Sequence, residues 1–143
     1  MTSTARSLRA STERIAPRDR AVGVLVVDDS LVFRTGMSRA VQACEGLELL
    51  GEADGGAAAL EAIAELRPDL VILDLRMPDI DGLEVLRELR AMDPPPDCRV
   101  LVISASLEDG VEEEVLAAGA DGCLSKALTR ADICAAALRI IAQ

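Results

Sequence analysis

Residues 69–82 read DLVILDLRMPDIDG. The run LVILD is apolar and rich in β-branched side chains, too short for an ordinary helix, and ends on the acid Asp74. A strand apolar at every position rather than at alternate ones has both faces covered, as in a parallel sheet packed on two sides by helices. Pro78, with its fixed φ, and Gly82, with no side chain to hinder close approach, shape the loop that follows. Beyond it Leu83, Leu86 and Leu89 recur at helical spacing.

Working outward, the same unit repeats. VGVLVV (22–27), LELLGEA (47–53), RVLVIS (99–104) and DGCLS (121–125) are further short apolar runs. Between them Leu31, Met37 and Val41, then Ala59, Leu60, Ile63 and Leu66, then Val111, Val115 and Leu116 mark helical faces, and Ile133, Ala137 and Ile140 or Ile141 mark a last one. Asp29 or Ser30 can cap the first helix, Gly46 and Pro68 separate elements, and DPPPD (93–97) stops the third helix. Five strands each followed by a helix predict a doubly wound (βα)5 α/β fold over residues 21–143 with right-handed crossovers.

Composition narrows the function. Residues 1–20 carry five arginines and two acids, which leaves ten basic and 23 acidic residues for the rest. The leader is expected to be a disordered tail. The acidic body lacks the clustered cations needed to track phosphates, so direct binding to nucleic acid or to an anionic membrane is not expected. No apolar run approaches the ~20 residues of a membrane helix. Cys44, Cys98, Cys123 and Cys134 form no C-x-x-C pair and there is no histidine to complete a zinc site, so they are read as reduced thiols of a cytoplasmic protein; a redox role for Cys123 and Cys134 is the alternative to the usual reading of a free cysteine as a small buried hydrophobe. Phe33 is the only aromatic residue, which leaves little for a flat cofactor to stack on.

In an open parallel sheet the functional crevice lies at the carboxyl ends of the strands. The first strand ends in Asp28-Asp29, the third in Asp74 and the fourth in Ser104, and the fifth runs into Lys126, the only lysine beside fourteen arginines. Singly, each has a plain reading as a helix cap, loop acid, turn residue or surface charge. Together, three carboxylates would repel by ~4 kcal/mol per close pair at an effective dielectric near 20. Mg2+ with oxygen ligands relieves this, and a cation on one side with a compact ammonium on the other is organised around a phosphoryl group. Asp74 is then the nucleophile, forming an aspartyl phosphate.

These residues resemble the receiver domain of bacterial two-component response regulators. VLVVDDS matches the acidic pair of the first strand, DLRMPDIDG the phosphoacceptor and its loop, VISA the fourth-strand Ser-Ala, and GADGCLSK the fifth-strand lysine. The resemblance implies a flavodoxin-like, CheY-like sheet of order 2-1-3-4-5, phosphotransfer from a sensor histidine kinase onto Asp74, and Mg2+ held by Asp29, Asp74 and the Arg76 carbonyl, with Asp28 acting through water. Ser104, the Ala105 amide and Lys126 would contact the phosphoryl group. Such a domain phosphorylates and dephosphorylates itself as a signalling module rather than as an enzyme of metabolism. Its fourth helix, fifth strand and fifth helix would form the face for a homodimer or an effector. Among receivers it is most similar to the NarL/LuxR type, which usually continues into a DNA-binding domain. Since this sequence stops at Gln143, it is expected to be a stand-alone receiver or one whose output domain lies outside it. One departure is Cys123, the switch position where receivers usually carry Tyr or Phe, so weakened coupling to that face is expected. A haloacid-dehalogenase-like hydrolase would want an acid where Arg76 stands, and a flavodoxin-like cofactor binder would want a Gly/Ser/Thr-rich loop where VDDSLVF stands. A degenerate receiver working by protein contact alone is the third alternative.

Overall fold

A computed structural model describes residues 20–143. The expected tail, 1–20, lies outside the described residues except for Arg20, whose guanidinium meets the Asp69 carboxylate at 2.8 and 3.0 Å. The elements alternate: β1 (Val22–Val27), α1 (Leu31–Ala43), β2 (Leu47–Ala53), α2 (Gly56–Leu66), β3 (Leu70–Asp74), α3 (Gly82–Ala91), β4 (Arg99–Ser104), α4 (Val111–Ala117), β5 (Gly122–Ser125) and α5 (Arg130–Ala142). All strand pairs are parallel and the sheet order is β2-β1-β3-β4-β5, as expected.

The two faces of the sheet bury two separate clusters. Val22, Val24 and Val26 of β1, with Leu70 and Ile72 of β3, pack with Met37 and Val41 of α1 and with Ile133, Ala137 and Ile140 of α5. The alternate residues Leu25, Val27, Val71 and Leu73 pack with Ala59 and Ile63 of α2, with Val85, Leu86 and Leu89 of α3, and with Val115 of α4. This period-two partition explains why the strands read as unbroken apolar runs: each neighbouring pair of side chains serves opposite cores. The winding reverses between β1 and β3, so the carboxyl ends of these adjacent strands open into one crevice, with Val27 opposite Leu73. β2, which ends in nothing reactive, lies at the sheet edge.

Three expected core positions differ. Leu31 is 65% exposed, while Leu66 and Leu116 are also at the surface. α1 begins with three apolar residues in succession, which fit several helical phases. Packing selects the phase of Met37 and Val41, with Phe33 packed beside them. The first helix is capped by Ser30, whose side chain accepts the Phe33 amide, which leaves Asp29 free of that duty.

Candidate functional site

The end of β1 is fixed by its own turn. Asp28 is fully buried; its Oδ1 accepts the Ser30 amide at 2.8 Å and its carbonyl accepts Arg34 Nη1 at 2.8 Å. Asp74, 3% exposed, ends β3 one strand away. Its loop folds back at once: the Gly82 amide donates to the Leu75 carbonyl at 2.8 Å, and Asp81 caps α3 by accepting the Glu84 amide at 2.9 Å. A Cβ on Gly82 would strike the Asp74 carbonyl and the Leu75 backbone, so only glycine lets α3 start this close to the strand end. β5 is held to β4 where the Lys126 amide donates to the Ser104 carbonyl at 2.8 Å.

The crevice therefore gathers charge. Asp28, Asp29 and Asp74 each bring a carboxylate oxygen within 4.8 Å of the others. Lys126 Nζ lies 2.7 Å from Asp28 Oδ2 and 3.4 Å from Asp74 Oδ1. Burial, and then the neighbouring Asp28 charge, push the Asp74 carboxyl up to about 6; Lys126 and the Arg76 amide, which donates to it, act in the opposite direction. One ammonium thus faces three carboxylates. Asp28 Oδ2 is buried and accepts no hydrogen bond of good geometry, its contact being the Lys126 ion pair. Such an oxygen, in a cluster short of positive charge, fits a hard divalent cation that prefers oxygen ligands.

Of the residues singled out from sequence, the structure brings Asp28, Asp29, Asp74 and Lys126 together. Arg76 stands two residues beyond Asp74 with its side chain exposed and its amide turned to that carboxylate. Ser104 is fully buried, and its hydroxyl is engaged away from the acids, donating to the Ser106 carbonyl at 2.9 Å and accepting the Ser106 amide at 3.2 Å. Ala105 opens an exposed stretch that runs to Gly110. Cys123 is buried in β5 and lines a shallow groove of about 320 Å3 with Leu116, Ala136 and Ile140. Burial, and then Glu112, raise its thiol above the usual range. All four cysteines are free thiols. Cys134 is a free thiol, not paired with Cys123, and it is pushed up to about 11 by burial and by the neighbouring Cys44.

Two neighbours of the site were not evident in the sequence. Phe33 lies with its ring centroid 4.6 Å from Lys126 Nζ. Asp79, inside the loop after Asp74, accepts the Gly56 and Ala57 amides at 3.0 and 3.1 Å and so caps α2 from across the fold. The GG pair at 55–56, which has no side chain to cap its own helix, was the available signal for the second.

The response regulator receiver domain family matches residues 24–138. This chain belongs to that family. It is 43% identical over 122 residues to the probable transcriptional regulatory protein NarL of Mycobacterium tuberculosis, covering 85% of this chain and 56% of that protein. The solved receiver domain of NarL from the same organism superposes with a TM-score of 0.81 at 41% identity, over 86% of this chain and 98% of that one. A CheX–CheY complex with BeF3 and Mg2+ from Borrelia burgdorferi is similar at a TM-score of 0.79 and 26% identity, over 90% of this chain and 100% of that one. The chain spans about half the length of the NarL and GacA proteins it matches. Among the described residues of this receiver, no helix is long and apolar enough to cross a membrane. The hydrolase and flavodoxin-like alternatives fall away with the family membership; the acidic triad at the strand ends is consistent with a phosphoacceptor site.

Proposed function

We propose that this receiver accepts a phosphoryl group from a sensor histidine kinase onto Asp74 in a Mg2+-dependent reaction, in the cytoplasm. The observation that carries this reading is Lys126 Nζ spanning Asp28 and Asp74 at 2.7 and 3.4 Å inside a cluster of three carboxylates. Asp28, Asp29, Asp74 and the Arg76 carbonyl would hold Mg2+, which neutralises the acids and the phosphoryl oxygens as they approach. An Asp74 carboxylate oxygen attacks phosphorus while the bond from phosphorus to the donor's histidine nitrogen breaks, and that nitrogen leaves with the electron pair. Burial and Asp28 lift the Asp74 carboxyl to about 6, so the group is mostly ionised at neutral pH but at a cost that a bound cation would relieve. Lys126 shifts its charge from Asp28 toward a phosphoryl oxygen, and the Ala105 amide donates to another. The Ser104 hydroxyl can reach the group only by leaving Ser106, so phosphorylation is coupled to the exposed stretch 105–110. From there the change is carried to the face of α4, β5 and α5, available to a homodimer or effector, with Cys123 at the switch position.

Intact-mass measurement after incubation with acetyl phosphate and Mg2+ tests the reading. One added phosphoryl group is expected, lost with Asp74→Asn or with chelator. Absence of the adduct with acetyl phosphate, together with absence of transfer from a phosphorylated kinase domain, would leave a degenerate receiver acting by contact alone.

A further inference from the structure

The single aromatic ring of this chain stands where it touches both the candidate site and the start of the last helix. Phe33 is half-buried on α1 against the core shared by α1 and α5. Lys126 Nζ lies 4.6 Å from its centroid, and the Arg130 guanidinium carbon lies 5.3 Å from the same centroid. Both distances are within reach of a ring quadrupole.

Arg130 needs such a seat. It is the first residue of α5, where the helix dipole disfavours a cation. Among the described residues no acid lies within ion-pair distance of it. Its place is prepared by α1: a Cβ on Gly36 would come 2.5 Å from Arg130 Nε and 2.8 Å from its guanidinium carbon. Glycine inside a helix lowers helix propensity, so its presence here leaves room for the guanidinium at a local cost. Lys126 and Arg130 are joined by a tight turn, in which the Leu128 amide donates to the Ser125 carbonyl at 3.2 Å, so one short segment brings both cations to the same ring.

We infer that Phe33 is a positioning residue for Lys126 and couples it to Arg130, so that occupancy of Asp74 is read directly at the first turn of α5. Two cations near one ring repel each other, and each weakens the other's hold. A phosphoryl group that draws the Lys126 ammonium toward itself relieves that repulsion and lets Arg130 settle on Phe33. The inference rests on the phosphoacceptor reading, because the group that moves Lys126 is the one carried by Asp74.

The test uses the whole chain labelled with para-fluorophenylalanine, which gives one fluorine resonance because there is one phenylalanine. Beryllofluoride with Mg2+ is the probe, and Mg2+ alone is the control. The resonance is expected to shift with beryllofluoride beyond its shift with Mg2+ alone. Gly36→Ala, which favours the helix but crowds Arg130, and Arg130→Gln should each reduce that extra shift by about half or more, while acetyl phosphate still adds its mass. By calorimetry Phe33→Leu should weaken beryllofluoride binding about 3- to 10-fold, with a smaller change in Mg2+ binding, and Phe33→Tyr, which keeps the ring, should restore it. Equal beryllofluoride affinity for the Leu and Tyr variants, or an extra shift unchanged in Gly36→Ala and Arg130→Gln, overturns the inference while phosphorylation by mass leaves the wider reading standing. Absence of both the mass adduct and beryllofluoride binding in the unmutated chain overturns both.

Discussion

At Asp74 a carboxyl group is held in a place that disfavours its charge: burial and Asp28 lift it from 3.8 to about 6. For an acid whose folded pKa lies above its unfolded one, the native state binds the extra proton. The penalty is absent below about pH 4, grows as pH rises through 6, and is complete at neutral pH. Asp74→Asn should therefore stabilise the metal-free chain at pH 7 by up to about 3 kcal/mol, with the gain vanishing toward pH 4. Added Mg2+ should reverse the order, stabilising the unmutated chain more than the variant. Urea unfolding followed by circular dichroism in chelator and in Mg2+ measures both arms, and parallel pH profiles of the two proteins would sink the argument. Lysine and arginine divide their roles at the same scale. Arg90 spreads its fork over the Cys98 and Gly119 carbonyls and Arg99 over those of Ile140 and Gln143, whereas Lys126 brings a point charge to two acids. That contrast was legible in composition, since one lysine among fourteen arginines marks a position where a fork does not serve. The Phe33 contact was not, because it joins α1 to the end of β5 and no local pattern carries it.

The elements meet the site through their ends. α3 begins against β3 because Gly82 has no side chain and Asp81 caps the helix, and both facts follow from the local sequence MPDIDG. α2 is different: its N-terminus has only Gly55 at the capping position, and the Gly56 and Ala57 amides are satisfied by Asp79 from the loop after Asp74. Those amides hold the Asp79 carboxyl well below its ordinary range, at about 2. A depressed acid contributes stability that is present above its unfolded pKa of 3.8 and is lost as pH falls toward 2. Asp79→Ala should speed hydrogen exchange of the Gly56 and Ala57 amides at neutral pH at least several-fold, with little effect on β3, and lowering the pH toward 2 should bring the unmutated chain toward the variant. Unchanged exchange at those two amides would mean that the loop does not cap α2. Sequence can suggest that this helix lacks a cap of its own, but the donor of the replacement depends on how the loop crosses the sheet. The phase of α1 was hidden for a similar reason, since Leu31, Val32 and Phe33 offered three apolar starts and only packing against α5 chose among them.

Over the whole molecule, the five repeats of strand and helix were readable because each strand had to satisfy two cores at once, and the reversal between β1 and β3 then fixed where the acids meet. What alternation cannot reveal is how a change at that crevice travels. The crevice is linked to the rest through two routes: Ser104 with the exposed stretch 105–110, and Lys126 with the turn into α5. Between them lies β5, where Cys123 is small and buried, with no ring to move between an outward and an inward position, and the groove beside it is shallow. A ligand shifts an equilibrium only by its differential affinity for the two states, and a side chain with one place to sit contributes little to that difference. Hydrogen exchange across residues 104–134, with and without beryllofluoride and Mg2+, should thus show protection concentrated at 105–110 and 126–131. The amides of Gly122–Ser125 should change less than either. A single broad response from β4 through β5 into α5, as large as that of a receiver with an aromatic at this position, would overturn the two-route picture and assign the coupling to β5 itself.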